Sequence, residues 1–138
     1  MVIKNSNKEK IIARFFILPR KFYPTSLCLL LVTDRRMVFL SGARGLLKKR
    51  ASEPVMTKSL FNSEELDGLI ESRGNSFHFD LGEVSEVEVN TSPFKEETFG
   101  YYLKIATKKK KTKWDLRFED LEDFRKIMKK LKVNYVEK

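Results

Sequence analysis

Residues 27–41 form two apolar runs, Leu27-Cys28-Leu29-Leu30-Leu31-Val32 and Met37-Val38-Phe39-Leu40, separated by a short polar break beginning Thr33-Asp34-Arg35. Each run has the length and the branched or aromatic content of a buried strand, and the break supplies turn chemistry. The pattern predicts a β-hairpin, because a polar interruption after about seven residues falls short of the usual helix length. Before it, Lys10 to Leu18 reads as a first strand ended by Pro19, with Ile11, Ala13, Phe15 and Ile17 on one face.

After the hairpin the periodicity stops. Residues 42–60 hold glycine, a basic cluster and Pro54, and read as a long loop. A helix follows, with Asn62 as its cap, Glu65 completing a capping box and Phe61 packing on Leu66 as a staple. Its apolar stripe is Leu66, Leu69 and Ile70; Gly68 weakens it, and Gly74 is placed to end it.

Strand alternation then returns. Phe77 to Leu81 and, after a Gly82-Glu83 turn, Val84 to Asn90 are read as two strands, the second with Val87 and Val89 inward and Glu86 and Glu88 outward. Beyond a polar loop with Pro93, Phe99, Tyr101, Leu103 and Ile105 alternate with polar or small residues. So do Trp114, Leu116 and Phe118, and Lys108 to Lys113 becomes the tip of the hairpin joining these two strands. The last element, Leu121 to Leu131, sets Leu121, Phe124, Ile127, Met128 and Leu131 on one helical face, with Asp120 placed as its cap. Seven one-sided strands cannot bury their apolar faces in a flat open sheet. A single mainly β domain with α is therefore expected, a two-sheet sandwich or partly open barrel closed by the final helix.

Composition adds limits. The chain of 138 residues suits one domain, and 41% apolar with 34% charged residues belongs to a globular protein. No apolar run approaches the roughly 20 residues of a spanning helix, the N-terminus lacks a secretory pattern, and the single cysteine, Cys28, cannot form an intrachain disulfide. A cytoplasmic location is expected, with peripheral membrane attachment compatible with the charge.

The net charge of +9 is confined to two segments. Residues 42–58 contribute +4 through Arg44, Lys48, Lys49, Arg50 and Lys58 against Glu53, residues 108–113 contribute +5, and the rest is neutral. This creates local positive fields.

Three stretches resemble the pleckstrin-homology (PH) superfold, particularly its bacterial PH-like and GRAM branches. They are Leu31-Val32-Thr33-Asp34-Arg35-Arg36-Met37-Val38-Phe39, Asp80-Leu81-Gly82-Glu83-Val84-Ser85-Glu86-Val87-Glu88, and Trp114-Asp115-Leu116-Arg117-Phe118 followed by the closing helix. The likeness covers residues 10–132 and implies a seven-stranded PH-like sandwich, with residues 42–76 as an extra loop-plus-helix insertion after strand 3. It further implies a non-catalytic platform for acidic headgroups, peptides or proteins. In lipid-binding members the loops after the third strand and between the sixth and seventh strands flank the site, which corresponds to the two basic segments here. Simple up-and-down counting puts those segments at opposite ends, whereas the crossed sheets of the superfold bring them together.

The candidate anion- or lipid-binding residues are Arg44, Leu46, Leu47, Lys48, Lys49 and Arg50 in the first segment and Lys108, Lys109, Lys110, Lys111 and Lys113 in the second. In the first, two leucines between cations suit insertion at a membrane interface, with the solvated loop as the plainer reading. In the second, a lysine-rich tip also keeps a hairpin soluble and discourages edge pairing. No catalytic, metal or cofactor site is expected. His78 sits outward between Phe77 and Phe79, and no CxxC, HExxH, P-loop or GxSxG spacing occurs. The expected partner is an anionic membrane surface or an acidic protein, with two alternatives: protein interaction through the 42–76 insertion, and nonspecific nucleic-acid binding. Arg35 and Arg36 are expected to be structural.

Overall fold

The apolar hairpin is the centre of the molecule in a computed structural model that describes residues 8–20, 27–42, 55, 57–91 and 100–138. Its strands, β2 (Cys28–Thr33) and β3 (Arg36–Ser41), are buried at every position but Ser41. Around them the described residues form β1 (Lys8–Pro19), β4 (Leu60–Asn62), α1 (Ser63–Ser72), β5 (Phe77–Asp80), β6 (Val84–Asn90), β7 (Gly100–Thr107), β8 (Lys111–Arg117), α2 (Leu121–Leu131) and β9 (Tyr135–Glu137). The strands make one open sheet in the order β5-β3-β2-β1-β8-β7-β6-β9, with β4 paired to the start of β1. All neighbours are antiparallel except β6 and β9.

Strand β1 joins the two halves of the sheet. It pairs with β2 from Ile11 to Ile17, and with β8 only from Ile17 to Pro19. The main core gathers the inward residues of both halves, among them Phe15, Ile17, Leu30, Phe39, Val87, Leu103, Ile105, Trp114 and Leu116, under Leu121, Phe124 and Met128 of α2. A second core lies on the opposite face of the hairpin, where Leu29, Leu31, Val38 and Leu40 meet Ile11, Val55, Phe61 and Leu66. The continuous apolar character of β2 and β3 thus reflects burial on both faces. The insertion supplies the second cover.

Several expectations need correction. Ile11 does not share a face with Ala13, Phe15 and Ile17, because the β1–β2 register shifts between Ile11 and Ala13 and a bulge of this kind turns the preceding side chain to the other face. Nine strands rather than seven are present among the described residues. The extra two, β4 and β9, are three residues each, too short for a visible alternation. The lysine tip is shorter than expected, since Lys111 and Lys113 belong to β8 and face outward on either side of buried Thr112.

Helix α1 begins as expected, with Asn62 Oδ1 accepting from Glu64 N at 3.0 Å and Asn62 N donating to Glu65 Oε1 at 3.0 Å. The left-handed residue after it is Asn75 (φ 68°), not Gly74. Asp120 does not cap α2. A 3-10 turn at Phe118–Asp120 leads directly into the helix, Asp120 is itself helical, and its carboxylate takes Arg117 Nε at 2.9 Å.

Gly100, at the start of β7, lies against the β8 backbone so closely that a Cβ there would overlap the Leu116 carbonyl. Gly100→Ala is expected to cost about 1–3 kcal/mol or more, because backbone on a paired strand must move. Urea denaturation checks this; an unchanged midpoint would show that the ladder yields freely.

Candidate functional site

The β7–β8 turn is built by Thr107. Its N–H donates to the Lys110 carbonyl at 2.7 Å, and its hydroxyl accepts from the N–H groups of Lys109 at 3.3 Å and Lys110 at 3.1 Å. A threonine opening a turn in this way is ordinary side-chain-to-backbone chemistry, and it holds the backbone of the tip while leaving the lysine side chains free to project. Lys108, Lys109, Lys110, Lys111 and Lys113 are all exposed.

Several cations elsewhere are neutralised: Lys104 lies 3.0 Å from Glu86 and 3.3 Å from Glu88, Lys138 lies 3.4 Å from Glu88, and Arg125 pairs with Glu122 and Glu137. Burial pushes the Glu88 carboxyl up, but Lys104 and Lys138 outweigh it and leave the group below its ordinary value. Arg20 pairs with Asp115 and lays its guanidinium 5.0 Å from the centre of the Tyr102 ring. None of the five lysines from 108 to 113 has a carboxylate partner among the described residues.

Lys110 has an aromatic partner instead. Its Nζ sits 4.5 Å from the centre of the Phe77 ring, at the mouth of a stack in which Phe39 lies 4.6 Å from Phe77 and 5.2 Å from Trp114. Trp114 Nε1 is tied back to Thr112 Oγ1 at 2.9 Å, and Thr112 donates to the Ile105 carbonyl at 3.0 Å.

That contact also orients the fold. Phe77 is the register partner of Phe39 on β3, two residues before Ser41 and Gly42, where the first basic segment leaves the sheet. Arg73 fastens this exit by donating to the carbonyls of Ser41 and Gly42, both at 3.1 Å, and Ser76 Oγ accepts from Ser41 N at 2.9 Å. Gly42 has φ +70°, where a side chain would be strained. The lysine tip and the exit of the first basic segment are therefore at one end of the sheet, contrary to up-and-down counting. Arg44, Leu46, Leu47, Lys48, Lys49 and Arg50 themselves lie outside the described residues, as does Phe99.

Residues of this end that sequence reasoning missed are Arg20, whose N–H donates to the Lys113 carbonyl at 3.0 Å, and Phe77. The Lys110 contact with Phe77 had no local signal, because the two are brought together only by the folding of distant strands.

Other marked residues have structural surroundings. Cys28 is buried, which pushes its thiol up to about 12. His78 is exposed on β5, as its alternation predicts, with Nδ1 3.8 Å from Asp80. Arg36 is nearly enclosed, with Nη2 2.8 Å from Glu9 and Nη1 2.8 Å from Asp67, which gives it the structural role expected.

No family model and no curated protein matches the chain. Among solved structures, it is similar to the hSac2 domain from the human phosphoinositide phosphatase Sac2. The TM-score is 0.55, with 9% identity, over 94% of this chain and 77% of that one. The likeness is one of fold. It supports a β-rich architecture for this chain, and no helix among the described residues is long and apolar enough to cross a membrane.

Proposed function

We propose that the protein is a PH-like, non-catalytic binding module that associates peripherally with anionic lipid through its two basic segments. The observation carrying this reading is the set of five exposed lysines clustered from 108 to 113 on one hairpin, without carboxylate partners among the described residues. Unpaired charge at a surface costs little in water and interacts strongly with a phosphate-bearing surface, each lysine contributing about 1 kcal/mol near an anionic membrane.

What supports the PH-like reading is coarse: an open β-rich sheet with α2 packed on its main core, in which β1 bridges the β5-β3-β2 strands and the β8-β7-β6 strands. The solved domain of similar fold comes from a phosphoinositide phosphatase, which accords with a lipid-related role. An interaction through the insertion is less favoured, because α1 uses its apolar stripe inside the second core. For nucleic acid, Tyr102 would be the stacking platform, and its face is taken by Arg20.

Co-sedimentation with phosphatidylcholine vesicles, with and without phosphatidylserine, at about 0.15 M salt tests the proposal. Binding is expected only to the anionic vesicles, and replacing the five lysines and Arg44, Lys48, Lys49 and Arg50 by glutamate should abolish it. Wild-type-like binding after that reversal would sink the reading. Displacement by a single-stranded oligonucleotide would move the assignment to nucleic acid.

A further inference from the structure

We infer that Lys110 is a releasable element of the anion site, parked on Phe77 in the free protein and swung onto a phosphate group when an anionic ligand binds. This rests on the reading of the lysine tip as an anion site, and adds a conformational step to it.

The backbone of Lys110 is held on both sides, its N–H by the Thr107 hydroxyl and its carbonyl by the Thr107 N–H. The loop has no need to move, and the long side chain alone can exchange partners. Its present partner is the π face of Phe77, 4.5 Å away, a weak attraction at an exposed site. A phosphate oxygen offers a charge-assisted hydrogen bond, which is stronger. Among the described residues the other four lysines have no ring or carboxylate contact, so Lys110 is the member of the set whose release is coupled to the interior. Phe77 stacks on Phe39, and Phe39 on Trp114, the sole tryptophan. Parking Lys110 also covers the half-buried Phe77 ring while the site is empty.

Two consequences have opposite signs. Lys110→Gln removes a cation and should weaken anion binding. Phe77→Leu removes the competing π face and should strengthen binding, by about two- to fivefold, because Lys110 no longer has to leave a partner.

The test follows the Lys110 ε-methylene protons by NMR, assigned by their loss in Lys110→Arg. In the free protein they should be displaced upfield by the Phe77 ring current, and this displacement should vanish in Phe77→Leu. Titration with inorganic phosphate and, separately, with short-chain phosphatidylserine should return them to the ordinary lysine position, with short-chain phosphatidylcholine producing no change. A response to phosphate assigns the free anion as sufficient; a response to phosphatidylserine alone assigns the lipid headgroup. If signals of Lys108 and Lys109 report binding while Lys110 keeps its upfield shift, the swing is refuted and the membrane reading stands. If no lysine responds and vesicles do not bind, both fall. Should Phe77→Leu lose its fold, as judged by Trp114 emission, the wild-type titration still decides.

Discussion

Replacing Arg36 with alanine lowers the stability of the fold by about 3–5 kcal/mol, because it leaves a buried carboxylate without its cation. Arg36 and Glu9 are both nearly enclosed, at 6% and 2% exposure. Glu9 is held on one oxygen by Arg36 Nη2 at 2.8 Å and Ser63 Oγ at 2.8 Å, and on the other by Arg36 Nε at 3.2 Å and Thr33 Oγ1 at 2.9 Å. Arg36 also reaches Asp67 and donates to the Ser63 carbonyl at 3.2 Å. One guanidinium thus ties the start of β1, the hairpin turn and α1 together. Urea denaturation of Arg36→Ala, beside the milder Asp67→Asn, checks the value. A loss below 1 kcal/mol would mean that water reaches Glu9 and replaces the partner.

The pH dependence of the same variant has a definite sign. Burial pushes the Glu9 carboxyl up, but hydrogen bonds from Ser63, Arg36 and Thr33, with the Arg36 charge, outweigh it and hold the group below its ordinary value. A lowered carboxyl stabilises the fold above its unfolded value of 4.5 and loses that contribution as pH falls through the folded value. Without Arg36, two of the causes that lower the Glu9 carboxyl are gone, so its folded value rises relative to wild type and protonation relieves the variant. The stability gap between wild type and Arg36→Ala should therefore narrow below about pH 5. A gap constant from neutral to acid pH would exclude Glu9 as the group left uncompensated.

Phe124→Ala should cost about 3–5 kcal/mol, the range for deleting a fully enclosed aromatic ring. Phe124 is 0% exposed and projects from α2 into the main core, edge-on to Phe15 of β1 at 5.2 Å and tilted against Tyr135 of β9 at 6.1 Å. It therefore fixes the helix to both halves of the sheet. Since β1 pairs with β8 over only three residues, the helix carries much of the closure that hydrogen bonding does not supply. Thermal unfolding should show a midpoint lowered by about 10–17 degrees, and a shift of a few degrees would mean that the cavity collapses onto neighbouring side chains.

Much of this was visible along the chain, for a physical reason. Alternation and helical spacing report burial relative to an element's own backbone, so the hairpin, β6, β7, β8 and both helices could be read from local residues. The capping box at Asn62 and Glu65 is likewise local chemistry, as is a run of lysines, whose exposure follows from the cost of burying charge.

Only the tertiary structure decided what meets what. The bulge that turns Ile11 to the second core, the three-residue strands β4 and β9, and the diversion of Asp120 to Arg117 depend on partners distant in sequence or on backbone geometry that residue type does not dictate. The same holds for the insertion covering β2 and β3, for Arg36 between Glu9 and Asp67, and for Lys110 on Phe77. Residue pattern determined which surfaces had to be buried and which charges exposed. The pairing of those surfaces was settled by the energy of closing the whole sheet around two cores, a quantity that no single segment contains.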